Sequence, residues 1–189
     1  MDITVEAIEA LRVPDAFAPV VGYRRFGIPW PLHKEEENHC LVQKGHRWTP
    51  KGPTVAECKR PGGRGHWGTA CGTDAAPNQG CGCGLYAWIE IQDALRYYEL
   101  TTQRGWVLAS VIGWGRVFFD EDFWRSEQAQ VVAFADPWDT HADKPEIVRE
   151  KIARWLERTA ENYGVPILSL EDLREYALMY GEEYVEEHG

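Results

Sequence analysis

The sequence predicts an α+β fold, in which a small antiparallel sheet carries a cysteine-rich knuckle and two C-terminal helices pack on the sheet. Three features of the chain lead to this prediction. The run from Trp106 to Val117 is almost continuously apolar, as in a buried strand. Four of the five cysteines lie in one glycine-rich stretch, residues 58–83. Residues 141–189 show helical periodicity with recognisable start and stop signals.

The chain before the knuckle contributes one predicted strand and one predicted loop. Residues 20–28 have the composition of a strand, rich in β-branched and aromatic side chains. Pro29 and Pro31 end this strand, because proline cannot donate a hydrogen bond to a neighbouring strand. Residues 32–53 are polar and rich in turn-forming residues, and we interpret them as a surface loop.

A β-hairpin is predicted in the middle of the chain. Its first strand is the apolar run described above, which Gly113 and Gly115 interrupt, and these glycines indicate a bulge or the close approach of another group. Residues 120–122 are polar and form the predicted tip, and residues 123–134 form the returning strand. Residues 91–98, which precede the hairpin, carry a helical stripe of apolar side chains.

The two C-terminal helices are marked by their ends. Asp143 and Glu146 match a capping box at the start of the first helix, and Gly164 ends that helix. Ser169 begins the second helix and Gly181 ends it. Both helices are predicted to pack on the sheet.

These elements divide the chain into two predicted parts. Residues 1–140 form a β-rich core domain that includes the knuckle, residues 58–84, and residues 141–189 form a helical pair packed on it. Because 44% of the residues are hydrophobic, the chain can bury a sizeable core and need not depend on staples alone.

The net charge of −10 disfavours general binding to nucleic acids, whose phosphates attract Lys and Arg. The charge is uneven, since residues 44–64 are basic and residues 171–189 are acidic, so a local nucleic-acid contact stays an alternative. No apolar run approaches the ~20 residues of a membrane span, and we expect no membrane contact. The residues after Met1 lack a signal-peptide pattern, which predicts a cytoplasmic protein with reduced thiols.

Reduced and clustered cysteines favour a metal site. Structural zinc is bound by four thiolate or imidazole ligands in tetrahedral geometry. Cys58, Cys71, Cys81 and Cys83 supply such a set, and His66 is an alternative to Cys71. The sequence therefore predicts one Zn²⁺ in the knuckle, with the choice between Cys71 and His66 left open.

Two other roles for the thiols stay open. Cysteine is often a small buried apolar residue, so the thiols of the knuckle can simply fill a glycine-rich turn. Alternatively, Cys81 and Cys83 form a redox pair, which requires a helix N-terminus or a nearby cation to favour the thiolate. The stretch after Cys83 is predicted to be a strand, which counts against the redox interpretation.

The hairpin carries a group of charged residues that suggests a hydrolytic alternative. The group consists of Asp120, Glu121, Asp122, Arg125 and Glu127. Paired carboxylates can act as general acid and base. A solvated hairpin tip with a structural Arg–Glu pair is the favoured interpretation, and no nucleotide-binding, serine-hydrolase or zinc-protease motif occurs.

Aromatic residues in the predicted loops suggest an interaction surface. Exposed aromatics are typical of recognition sites, and basic residues accompany them here. The set consists of Trp30, Trp48, Trp67, Lys59, Arg60 and Arg64. The alternative is that the tryptophans fill a small core within the knuckle.

Seven short segments carry a family resemblance. They are residues 22–26, 48–50, 56–58, 75–77, 81–87, 113–117 and 123–127. On these segments the chain resembles a group of uncharacterised actinobacterial and actinophage proteins. The resemblance implies a phage or prophage origin and no particular activity. Members of the group carry histidine where this chain has Asp74 and alanine where it has Ser126, and the first difference bears on the fourth metal ligand.

The function that these observations favour is that of a non-enzymatic, zinc-stabilised interaction protein, encoded by a phage or prophage and binding a host macromolecule. We expect the partner to be another protein. One alternative is a small enzyme that uses the hairpin carboxylates or the thiols. Another is a nucleic-acid-binding module, which the overall charge disfavours.

Overall fold

The computed structural model describes residues 19–28, 41–43, 46–58, 76–78, 82–96 and 105–183. Within these residues the predicted α+β class is confirmed, with eight strands in one sheet and four helices. The strands are β1 (Val20–Gly27), β2 (Val42–Gln43), β3 (His46–Arg47), β4 (Thr54–Val55), β5 (Leu85–Trp88), β6 (Trp106–Phe119), β7 (Phe123–Ala135) and β8 (Ile167–Leu168). The helices are α1 (Ile91–Arg96), α2 (Pro137–Thr140), α3 (Glu146–Tyr163) and α4 (Leu170–Leu178).

The hairpin of β6 and β7 forms the centre of the sheet. Its strands pair antiparallel from Ala109 with Phe134 to Phe119 with Trp124, and the register shifts twice along the way. The second shift lies between Trp114 and Val117, where Gly115 has a φ of +77°. The irregularity predicted from the glycines is therefore confirmed at Gly115.

Four strands of the sheet close into a ring. β1 pairs with β6 along its whole length, β6 pairs with β7, and β7 pairs with β5. β5 then pairs back with β1 through Trp88 and Tyr23. All of these pairs are antiparallel, and in the described residues only β7 with β8 forms a parallel ladder. A closed ring has an interior that a side chain must fill.

Trp124 fills this interior, and its side chain is completely buried. The indole Nε1–H donates a hydrogen bond to the carbonyl oxygen of Val21 on β1, with an N···O distance of 2.9 Å. A Cβ atom on Gly22 or on Gly113 would lie 2.5 Å from the Trp124 ring, so only glycine fits at either position. Gly113 interrupts the apolar run because the ring of Trp124 approaches the backbone at this position.

Side chains alternate between the two faces of the sheet, and each face is covered by helices. The larger core packs β1, β6 and β7 against α3, through Phe26, Val111, Phe134, Ile152, Trp155 and Leu156 among others. The opposite face packs the same strands against α1 and α4, through Tyr23, Leu108, Ala133, Ala94 and Leu173. Each face of the sheet therefore forms a common hydrophobic core with the helices that cover it.

Two of the four predicted ends of the C-terminal helices are confirmed, those at Gly164 and Ser169. The predicted end of α4 at Gly181 is wrong, because the helix ends at Leu178 with Met179 as its C-cap, and Gly181 lies beyond it, where a Cβ atom would meet the carbonyl group of Pro19. Gly164 ends α3 in a left-handed conformation with a φ of +68°, and the Ser169 hydroxyl accepts a hydrogen bond from the Asp172 amide at the start of α4. The predicted capping box of Asp143 and Glu146 is wrong, because α3 begins at Glu146 with Pro145 as its N-cap and has no side-chain cap. A proline disfavours helical geometry in the residue before it, which excludes a helix start at Lys144.

His141 joins the turn after α2 to the start of β6. Its ring is 1% exposed, and its Nε2 lies 2.8 Å from the carbonyl oxygen of Trp106, so Nε2 carries the proton. Its Nδ1 is buried without a hydrogen-bond partner in the described residues. Burial lowers the pKa of His141, because a charged ring would lose hydration and present a second N–H with no acceptor.

The glycines that face Trp124 provide a test of the ring. We expect Gly22→Ala to lower the free energy of unfolding by about 1–3 kcal/mol, because the added methyl group overlaps the indole. Gly27 is a matched control on the same strand, since a Cβ atom there would meet nothing within 4 Å. Urea denaturation of both variants measures the difference. Equal stabilities of the two variants would contradict this packing.

His141 predicts a dependence of stability on pH. Above its ordinary pKa of 6.5 the ring is neutral in folded and unfolded chains alike. As the pH falls below this value the unfolded chain binds a proton that the folded chain resists, so the free energy of unfolding falls. We expect the decrease between about pH 7.5 and 5.5 to be smaller in His141→Gln, whose amide can still donate to Trp106. Urea denaturation measures the free energy of unfolding at each pH. Equal decreases in the wild type and in His141→Gln would refute the assignment of this pH dependence to His141.

Candidate functional site

Strands β4 and β5 lie end to end on the same edge of β7. The amide of Ala56, directly after β4, donates to the carbonyl oxygen of Glu127 at 2.7 Å. Leu85, the first residue of β5, pairs with Ser126. These two partners are adjacent in β7, where the rise per residue is about 3.4 Å. The chain therefore leaves the edge of β7 after Ala56, opposite Glu127, and rejoins it at Leu85, opposite Ser126. We call this point the neck, and we call the connection between the two positions, residues 57–84, the cysteine-rich segment.

Two of the predicted metal ligands lie at the neck. Cys58 comes two residues after Ala56, and Cys83 comes two residues before Leu85. Both cysteines are partly buried, and both pack against the larger core. Each cysteine therefore lies two residues from a position on β7, and these two positions are adjacent, although 24 residues separate the cysteines in the sequence.

Two arginines of the hairpin bind the backbone of the segment as it returns to the neck. The guanidinium of Arg125 donates to the carbonyl oxygens of Asn78 at 3.0 Å and of Cys83 at 3.1 Å. Arg116 donates to the carbonyl oxygen of Pro77 at 3.1 Å. We call this pair the arginine clamp. A guanidinium presents several donors in one rigid plane, so a single side chain can bind two carbonyl groups at once.

The backbone at the neck is tightly packed. Gly84 has a φ of +129°, in a region that side chains other than glycine rarely adopt. A Cβ atom on Gly84 would also lie 3.1 Å from the Cβ of Pro77 and 3.2 Å from the Cβ of Arg125. The hydroxyl of Tyr86 donates to the carbonyl oxygen of Gly82 at 2.6 Å. The residues on either side of Cys83 are therefore held by both packing and hydrogen bonds.

The remaining predicted ligands lie outside the described residues. These are His66, Cys71 and Cys81. Within the residues that the structure describes, no group of three or more histidine, cysteine or carboxylate side chains is placed to hold a metal ion. Of the five predicted ligands, the described residues therefore include only Cys58 and Cys83.

The carboxylates of the hairpin do not form one group. Asp120, Glu121 and Asp122 are exposed at the tip. The carboxylate of Glu127 accepts a hydrogen bond from the backbone amide of Arg116 at 3.2 Å, four residues along β6 from Asp120 and thus about 13 Å of strand away. Glu127 therefore stabilises the irregularity beside Gly115, and the tip carries only solvated acids.

Trp48 is not part of an exposed recognition surface, and that suggestion from the sequence is wrong. Its side chain is 1% exposed and packs edge-on against Phe26, with ring centroids 5.0 Å apart. Its carbonyl oxygen accepts a hydrogen bond from the Tyr163 hydroxyl at 2.7 Å. The predicted loop contains β2 and β3, and β2 pairs with β1 through Gly27 and so brings Trp48 into the core. Trp30 and Trp67 lie outside the described residues.

The arginine clamp is not predicted by the sequence. A guanidinium that binds backbone carbonyl groups needs no particular side chain at the other end, so no pair of residue types marks the contact. The only local sign is that Arg116 and Arg125 lie on strands that are otherwise mostly apolar. Neither position was expected to contact the cysteine-rich segment.

The chain matches no family model, no curated protein and no solved structure. In the described part of the chain, no helix combines the length and the apolar character needed to cross a membrane.

The role of Glu127 can be separated from catalysis by two substitutions. We expect Glu127→Gln to change the free energy of unfolding by less than about 0.5 kcal/mol, because an amide oxygen can still accept from the Arg116 amide. We expect Glu127→Ala to cost about 1–3 kcal/mol, because that amide loses its acceptor. Urea denaturation distinguishes the two. An equal loss in both variants would show that the charge, and not the hydrogen bond, is what matters.

Proposed function

We propose that this protein is a non-enzymatic, zinc-stabilised interaction protein, in which the knuckle folds around one Zn²⁺ and contacts another protein. The observation that carries this proposal is the end-to-end placement of β4 and β5 on β7. Cys58 follows β4 and Cys83 precedes β5, and these strands meet at adjacent residues of β7. The sheet would therefore fix the backbone close to two of the proposed ligands.

The proposed ligands are Cys58, Cys81, Cys83 and either Cys71 or His66. Zinc accepts four thiolate ligands, or three thiolates and one imidazole, in closed structural sites. Cys81 and Cys83 are separated by a single glycine, which allows the chain to turn sharply around an ion. The packing around Gly84 supports this arrangement, because it holds the backbone next to Cys83 in a turned conformation.

The composition of the segment supports a metal as its organising element. A connection longer than about 12–15 residues without its own organisation is uncommon in a compact domain. Residues 57–84 contain one large apolar side chain, Trp67, and eight glycines, which is too little apolar surface for a separate core. Structural zinc supplies on the order of 10–16 kcal/mol in finger peptides, enough to order such a segment.

A protein partner fits the charge of the chain better than a nucleic acid does. The net charge of −10 opposes association with a phosphate backbone. The proposed knuckle carries Trp67 beside basic residues, and aromatic residues with arginine are typical anchors of protein interfaces. The resemblance to actinophage proteins is consistent with a partner from the bacterial host.

An enzymatic role has less support. Glu127 is engaged with a backbone amide, and the acids at the hairpin tip are exposed and distant from it. An acid–base pair needs two carboxylates that reach the same substrate. The hairpin therefore supports a structural role for its charged residues.

Native mass spectrometry of the untagged protein, purified under reducing conditions, tests the proposal. We expect one zinc ion per chain, and we expect a chelator to remove the ion and lower the thermal midpoint. Cys58→Ser and Cys83→Ser should each reduce the zinc content to well below one per chain. Cys40→Ser is the matched control, because Cys40 lies outside the proposed ligand set.

Two outcomes would overturn the proposal. Wild-type protein with well under one metal ion per chain would exclude a structural zinc site. Full zinc content in both Cys58→Ser and Cys83→Ser would show that the metal is bound elsewhere. Tight binding to DNA or RNA that survives moderate salt would instead favour the nucleic-acid-binding alternative.

A further inference from the structure

The arginine clamp holds the cysteine-rich segment at points on both sides of Cys81. Arg125 binds the carbonyl oxygen of Asn78, which precedes Cys81 by three residues, and that of Cys83, which follows it by two. Both hydrogen bonds come from one guanidinium nitrogen, which therefore ties together two points of the backbone that lie on either side of Cys81 in the sequence. Arg116 adds a third point through the carbonyl oxygen of Pro77.

The guanidinium of Arg125 is itself fixed by the hairpin. Arg125 pairs with Phe118 of β6 and with Tyr86 of β5, so its backbone lies in the middle of the sheet. The guanidinium carbon lies 4.9 Å from the centre of the Phe118 ring, within the range of a cation–π contact. The backbone of Arg125 is restrained by its two neighbouring strands, and its guanidinium is restrained by the Phe118 ring. The side chain therefore loses little conformational freedom when it binds the carbonyl groups.

We infer that Arg125 is the positioning residue of the metal site, an assignment that rests on the proposed zinc function. It orients Cys83 through the carbonyl groups of Cys83 and Asn78 and contacts the metal through no atom of its own. Groups that orient metal ligands typically contribute about 10- to 100-fold to metal affinity.

Lysine and glutamine at position 125 separate the geometry from the charge. Arg125→Lys keeps a positive charge but lacks the planar guanidinium that binds two carbonyl groups. Arg125→Gln lacks both. The matched control is Arg24→Lys, because Arg24 also donates to a backbone carbonyl group of β5, that of Tyr86 at 3.1 Å, and this acceptor lies outside the knuckle, residues 58–84.

The experiment measures zinc affinity by competition with a chromophoric chelator, using the full chain. The same variants are loaded with Co²⁺, whose visible absorption reports the geometry of thiolate ligands. We expect Arg125→Lys and Arg125→Gln to weaken zinc binding by about 10-fold or more and to alter the Co²⁺ spectrum. Arg24→Lys should leave both unchanged. Urea denaturation of the metal-free proteins shows whether each variant is folded.

The possible results separate the inference from the function on which it rests. If the wild-type protein binds no zinc, the proposed function fails. If the wild-type protein binds zinc and both Arg125 variants bind it equally well, the function stands and the positioning role of Arg125 is wrong. If Arg125→Lys matches the wild type and only Arg125→Gln is weakened, any cationic donor at this position is sufficient, and the positioning role assigned to the guanidinium is wrong.

Discussion

The insertion of Trp124 between two glycines is the contact on which the rest of the structure depends. Its ring fills the interior formed by β1, β5, β6 and β7, and its N–H satisfies a carbonyl group of β1. The next three residues of β7 then make three different connections. Arg125 binds the returning segment, Ser126 pairs with the first residue of β5, and Glu127 accepts from the residue that follows β4. One stretch of a single strand thus links the core to the neck.

The large elements could be predicted because their signals are local. The strand at residues 20–27, the hairpin and both C-terminal helices each carry several consecutive residues with one periodicity or one cap. The start of α3 was predicted too early, because the capping pattern at Asp143 ignores the restriction that Pro145 places on its neighbour. The close approach at Gly113 was expected, but the approaching group, Trp124, could not be named, since a long-range contact leaves no mark on its own segment.

The neck could not be predicted for the same reason. β4 has only two residues, too few for any period, and its position next to β5 depends on pairings with a strand more than seventy residues later. The sequence predicts Cys58 and Cys83 as ligands by residue type alone, and the structure adds that the strands next to them have adjacent partners on β7. The burial of Trp48 also depends on two-residue strands, so its place in a polar stretch suggested exposure that the fold does not allow.

On the proposed function, Cys58 and Cys83 leave the sheet at the neck as ligands of one zinc ion. X-ray absorption at the zinc edge of the purified protein tests this proposal, because it reports the atoms bound to the metal. We expect three or four sulfur neighbours at about 2.3 Å, with at most one nitrogen neighbour. A first shell made only of oxygen and nitrogen at about 2.0 Å would contradict it, as would a sample without zinc.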